Sequence, residues 1–470
     1  MTLHLSFQTH LACHPAFQDG FPDLKALSNL LRGREVKSMD LVDLCLQRIA
    51  ERDPLLHAFT TVYEREARLA ASSADTLMDA GIWLGPLHGV PVALKDNFDI
   101  AGKATTAGSP SMLDNIASKS SWVVERLHAT GAIIVGKLHM VQFALGAWGT
   151  NEQMGAPRNP WGGAVHMTPG GSSSGAAVAV AGGLVPLSVG TDTGGSVRMP
   201  ASLCGVTGFK PTIGRLRLDG VVPLSETLDS AGVFAQSASD AALFYATLAS
   251  DDRTASAVQH GRRTAQGLRI GYLPQQHLSD VQPDVLAAYR EAIRVLAAAG
   301  ASLVEIPLER SLDDFAEVGA LIMLAEGALH WGELAADTSR EMDPAVRSRF
   351  MGGKGISAVQ YIAAQRRQCE LKREFSELLR HIDVLITPGT PWAALPLEGL
   401  DQSRLPVRYT RIVNLLDMSG VCVQAGFDQR GLPIGLQIAG AGGTDAQVAE
   451  VAMLWQDITT WHQQRWTPTT

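Results

Sequence analysis

Three segments of this chain repeat one pattern. "VVERLHATGAIIVGKL" (123–138) and "AIRVLAAAGASLVEIPL" (292–308) each run from apolar residues at helical spacing, through a glycine, into a short β-branched stretch. "LKREFSELLRHIDVLITP" (371–388) does the same without the glycine. Alternation of a 3.6-residue period with strand-length apolar runs leaves few architectures: a sheet with helices packed on both faces. "GVPVALKD" (89–96) reads as a further buried strand, and "GVCVQAGFDQRGLPIGLQIAG" (420–440) as two strands around a turn. Ser38 as N-cap, Asp40 in the first turn, and Leu41, Cys45 and Ile49 at helical spacing predict an amphipathic helix ending near Asp53-Pro54. Asp445 is expected to cap a final helix, and the polar segment 249–267 to form a surface loop. No low-complexity stretch or shift in composition marks a boundary, so one continuous α/β domain over residues 1–470 is expected. Its 46% hydrophobic residues supply a large core.

The charge balance excludes one broad class of partner. A net charge of −8 lacks the Lys/Arg excess that a phosphate-binding face needs, so no nucleic-acid partner is expected. Five scattered cysteines without a CxxC read as reduced thiols, and the N-terminus lacks the basic and apolar regions of a signal peptide. Both point to a cytoplasmic protein. The most apolar stretch, 176–189, contains two glycines and a proline and is too short for a bilayer, so no membrane role is expected. The 13 histidines form no HExxH. His10, Cys13 and His14 lie close together in a terminal segment that reads better as a polar arm than as a metal site, and no metal is expected.

Two glycine-serine clusters, "GGSSSGAA" (170–177) and "GTDTGGSVRMP" (190–200), raise the question of chemistry. A phosphate loop needs G-x-x-x-x-G-K-[ST], and neither cluster has the lysine. A nucleophile elbow centred on Ser173 matches "GSSSG", but it must follow a strand, and "HMTPGG" before it cannot be a central one. A serine hydrolase centred on Ser196 fits better. The strand-like run "GLVPLSVGTD" (183–192) leads into Thr193-Gly194-Gly195-Ser196, where glycines let backbone N–H groups converge on a developing oxyanion.

The stretch "GGSSSGAAVAVAGGLVPLSVGTDTGGSVRMPASLCGVTGFKPT" (170–212), with "GVPVALKDNFD" (89–99), "PLSETLDSAG" (223–232) and "GLPIGLQIAG" (431–440), resembles the amidase signature family. The resemblance covers most of the chain. It implies a single large domain with a mixed, twisted sheet covered by helices on both faces, a signature core over about 89–240, and a C-terminal half that shapes the substrate pocket. It also implies hydrolysis of a small-molecule amide without a cofactor. Carried onto this sequence, Ser196 is the nucleophile, Lys95 the base, and Ser172 the bridging serine beside a cis peptide. The backbone amides of Thr193, Gly194, Gly195 and Ser196 are the oxyanion donors. Trp148 in "ALGAWGT" (144–150) and Ser173 are candidate substrate contacts; Ser173 and Ser174 also read as turn residues, and Asp192 and Arg198 as a structural ion pair. The family pattern departs little here: Ser174 stands where many relatives have Gly, and Thr227 where many have Ser.

A lysine base at neutral pH must lose its proton far below its ordinary pKa of about 10.4, and burial beside Val90–Leu94 is the expected cause. The alternative function is the glutamine-hydrolysing component of a tRNA amidotransferase, working with partner subunits through the same triad. The sequence is compatible with a homodimer, and the residues 310–420 are where substrate choice is expected to lie.

Overall fold

The computed structural model describes residues 11, 15–18, 20–261 and 264–468. Eleven strands among them form one sheet: β1 (Phe59–Val62), β2 (Pro91–Lys95), β3 (Ile133–Leu138), β4 (Leu187–Asp192), β5 (Thr207–Lys210), β6 (Ser230–Ala235), β7 (Arg269–Tyr272), β8 (Ser302–Glu305), β9 (Val384–Pro388), β10 (Ser419–Phe427) and β11 (Pro433–Gly440). Their order across the sheet is β1-β3-β2-β4-β6-β5-β10-β11-β9-β7-β8. The sheet is mixed. β2 runs parallel to β3 and β4, and β7 to β8 and β9, while β4 and β6 are antiparallel and β10–β11 form a hairpin. Central strands buried on every residue explain the near-continuous apolar runs seen in the sequence.

Each helix–strand segment takes its expected form. Helix Trp122–Ala129 leads into β3, Pro283–Ala298 into β8, and Ala358–Leu379 into β9. Three local expectations need correction. The helix from Ser38 continues through Pro54 to Leu56, and Ser38 is its first residue, not its cap. The supposed loop at 249–267 contains the helix Asp252–His260. The Asp251 carboxylate caps it by accepting from Arg253 N and Thr254 N, and Thr254 and Ala257 are its buried anchors. The Asp445 carboxylate does not cap the last helix, Asp445–Asp457. It turns back to accept from Thr212 N at 2.6 Å and Thr212 Oγ1 at 2.8 Å.

Two features of this architecture place the site. Because β2 and β4 are parallel neighbours, their C-terminal residues, Lys95 and Asp192, emerge at the same edge of the sheet, where ligands bind in open α/β sheets. Because β6 runs back antiparallel to β4, Ser230 lies opposite Asp192 and brings Asp229 to that edge. Helix Ser174–Ala181, buried at every residue, backs the arrangement with small side chains. Gly190 on β4 allows the close approach, since a β-carbon there would lie 2.6 Å from Ser173 Oγ. No helix among the described residues is long and apolar enough to cross a membrane, and no group of His, Cys, Asp and Glu is placed to hold a metal ion. His10, Cys13 and His14 lie outside the described residues.

Candidate active site

Lys95 is fully buried at the end of β2. Its Nζ donates to Ser172 Oγ at 2.8 Å and to Thr191 Oγ1 at 2.7 Å. The neighbouring buried lysine, Lys137, is paired directly with the Asp96 carboxylate at 3.0 Å. Among the described residues, Lys95 has only hydroxyl partners. Burial strips the ammonium of its hydration and lowers the Lys95 pKa from 10.5 to about 7, against the more distant pull of Asp229 and Asp192.

Ser172 follows a cis peptide bond from Gly171, and its carbonyl accepts from Val141 N at 3.1 Å. Ser196 lines a small pocket of about 50 Å³. The walls come from residues 144–147, from Thr193 and Gly194, and from Met323, Arg349 and Arg411 in the C-terminal half. The two serine segments are tied through the backbone, Ser173 N donating to Ser196 O at 3.3 Å. Among the described residues no hydrogen bond joins the Ser172 and Ser196 hydroxyls.

The loop that carries Ser196 is held by one buried ion pair. Arg198 Nη2 meets Asp192 Oδ1 at 2.8 Å, both side chains fully buried. Asp192 also accepts from Gly195 N at 2.7 Å and Val197 N at 3.0 Å, which shapes the turn around Ser196. Burial alone would raise the Asp192 pKa, but the Arg198 guanidinium, helped by the Lys210 charge and the Asn414 amide, holds it well below the usual carboxylate range. Arg198 reaches across the chain to Thr410 O at 2.9 Å, Asn414 Oδ1 at 2.6 Å and Gln437 Oε1 at 2.6 Å. Asp229, its pKa raised by burial, takes Thr193 Oγ1 at 2.5 Å.

A family model described as Amidase matches residues 40–449. The chain belongs to the amidase signature family. This amidase-family chain is 37% identical over 436 residues to 2-amino-5-chloromuconic acid deaminase of Comamonas testosteroni, covering 90% of this chain and 93% of the relative. It is also 37% identical over 476 residues to a glutamyl-tRNA(Gln) amidotransferase subunit of Halorhodospira halophila, with 93% and 97% covered. A crystal structure of an amidase superposes on it with a TM-score of 0.84 at 30% identity, covering 93% of this chain and 99% of the other. The single α/β domain with its large mixed sheet is therefore the fold of amidase signature enzymes, and the chain is a member of that class of hydrolases acting on C–N bonds.

Within this amidase fold, three site expectations need correction. Gly195 N–H is committed to Asp192, so only the amides of Thr193, Gly194 and Ser196 lack an acceptor among the described residues. Trp148 is not on the pocket wall. It is buried, lies against Trp392 with ring centroids 6.3 Å apart, and donates from Nε1 to Arg404 O at 2.9 Å, while Ala144–Ala147 face the pocket. Ser173 is likewise spent on structure, its Oγ donating to Thr191 O at 3.0 Å and accepting from Thr191 N.

Sequence reasoning misses Thr191, the second partner of Lys95, because the pairing of β2 with β4 is not written in either segment. It also misses Glu326, a buried carboxylate that accepts from Ser225 Oγ, from Thr227 and from Tyr361 OH at 2.6 Å. Glu326 thereby ties helices Leu312–Ala336 and Ala358–Leu379 to the loop before β6. Thr227 supplies the hydroxyl this contact uses.

Proposed function

We propose that this chain hydrolyses a linear carboxylic amide through an acyl-enzyme on Ser196, with Ser172 and Lys95 carrying the proton. The observation that supports this most is the buried Lys95, whose side-chain partners are two hydroxyls and no carboxylate, one of them on Ser172. Held near neutral pKa, its amine can take the Ser172 proton while Ser172 takes that of Ser196. The Ser196 oxygen then forms a bond to the amide carbon, and the amides of Thr193, Gly194 and Ser196 receive the oxyanion. Collapse breaks the C–N bond, and the leaving nitrogen takes its proton back through Ser172. Water repeats the sequence to release the acid.

The C-terminal half supplies the specificity walls through Met323, Arg349 and Arg411. A second reading, a glutamine-hydrolysing component working with partner subunits, is favoured by the 37% identity to an amidotransferase component. A fluorophosphonate tests the chemistry. The adduct is expected on Ser196 by mass spectrometry, with labelling that rises with pH through about 7. An adduct on Ser173, or pH-independent labelling, defeats the proposal. Glutaminase activity with copurifying subunits would establish the second reading.

A further inference from the structure

Two guanidinium groups face the pocket that Ser196 lines, and among the described residues no carboxylate lines it. Arg411 is only 8% exposed. Its Nη1 donates to Ala316 O at 3.1 Å, but its Nε is buried with no hydrogen-bond partner among the described residues. The side chain is fixed by close packing between two glycines. A β-carbon on Gly194 would lie 3.4 Å from Arg411 Nε, and one on Gly319 would lie 3.2 Å from Arg411 Cγ. Arg349 stands nearby, donating to Leu145 O at 3.1 Å and Gln402 O at 2.8 Å, so its acceptors are neutral carbonyls. Neither arginine forms an ion pair among the described residues, whereas the buried Arg198 is paired with Asp192. Burial, then repulsion from Arg349, lowers the Arg411 pKa to about 10, which still leaves it charged at neutral pH.

A buried charge without a counter-charge is costly, and a fold normally keeps one only where something completes it. Apart from Thr193 and Ser196, the other side chains that line the pocket are apolar, among them Leu145, Met199, Leu224 and Met323. A carboxylate is the group that suits a planar guanidinium in such a setting. The lining has no acid to receive an ammonium, which disfavours an amino-acid amide such as glutamine.

We infer that the substrate is a small amide that itself bears a carboxylate, seated on Arg411 with Arg349 adding to the positive field, as in the monoamide of a short dicarboxylic acid. This specificity rests on the hydrolytic reading of Ser196. Arg349 and Arg411 lie in the segment where sequence reasoning expects substrate choice.

The test compares kcat/KM for the monoamides of malonic, succinic, glutaric and adipic acids with their uncharged methyl-ester isosteres, and with glutamine. Wild type is expected to favour the acids by roughly 10- to 100-fold, and Arg411→Met to collapse that ratio mainly through KM. Equal rates for the uncharged isosteres in wild type overturn the inference without any variant, as does an intact ratio in a folded Arg411→Met protein. Calorimetric titration of Ser196→Ala with succinate and glutarate gives a second arm independent of turnover. Binding that disappears in Ser196→Ala/Arg411→Met supports the carboxylate seat, and absent binding to Ser196→Ala refutes it. Dicarboxylate binding without hydrolysis of any amide would defeat the hydrolytic reading and leave the carboxylate seat standing. Hydrolysis without charge preference would do the reverse.

Discussion

Replacing Lys95 by Met should make this protein more stable at neutral pH while abolishing its amidase activity. In the unfolded chain the lysine titrates near 10.5; in the fold burial holds it at about 7. Between those values the unfolded chain binds more protons, so stability contributed by the neutral amine is fully present above about pH 10.5 and is lost as pH falls toward 7. From the two pKa values the loss is roughly 4 kcal/mol at pH 7 and roughly 2 kcal/mol at pH 9. Methionine fills a similar volume without a proton to lose, but leaves the Ser172 and Thr191 hydroxyls each short of one partner, at about 1 kcal/mol apiece. The net expectation is a gain of roughly 2 kcal/mol at pH 7, no difference near pH 9, and a loss at higher pH. Urea denaturation of both proteins, followed by tryptophan fluorescence from about pH 7 to about pH 10, reads the difference directly. A stability difference that stays flat across that range would mean Lys95 keeps its ammonium in the fold, and the general-base role would fall with it.

Two further substitutions separate the scaffold from the chemistry. Arg198→Met leaves the fully buried Asp192 without its counter-charge, so a loss of roughly 3–5 kcal/mol is expected by denaturation, together with loss of fluorophosphonate labelling; an unchanged midpoint would refute the role given to the pair. Trp148→Ala should cost roughly 3–5 kcal/mol by removing the packing on Trp392, yet leave the ranking of substrates as it is. A changed ranking in the amide panel would return Trp148 to the pocket wall.

The fold is legible in the sequence where local signals agree with tertiary demand. β3, β8 and β9 follow their helices as the alternating periods require, and the hairpin of β10 and β11 follows from its turn. Helix Asp252–His260 is not legible, because so few of its residues are buried that no apolar period stands out, and the Asp251 cap carries most of its signal. The site divides in the same way. Of the proposed triad, Lys95, Ser172 and Ser196 each sit in a dense motif, and two of them, Lys95 and Ser172, are in direct contact. Thr191, Asp229, Glu326 and Arg411 are ordinary residues until strand order and helix packing bring them to the site. Trp148 shows the opposite failure, since adjacency in sequence to Ala144–Ala147 says nothing about which way a large ring turns.

The reach of Arg198 to Thr410, Asn414 and Gln437 has a consequence for the chain as it leaves the ribosome. Synthesis runs from the N-terminus, so Lys95, Ser172 and Ser196 are all translated before Thr410, Asn414 and Gln437, the partners that lock the 192–198 turn. Thr410 also holds that turn from outside, donating to Gly194 O at 2.7 Å. β5, which flanks this region, likewise waits for β10 before it has a second neighbour. The nascent polypeptide thus carries Ser196 without the partners of its turn until Thr410, Asn414 and Gln437 have been made. The segment that completes the turn, Thr410 to Asn414, also carries Arg411, so the lock on the turn and one wall of the pocket arrive together.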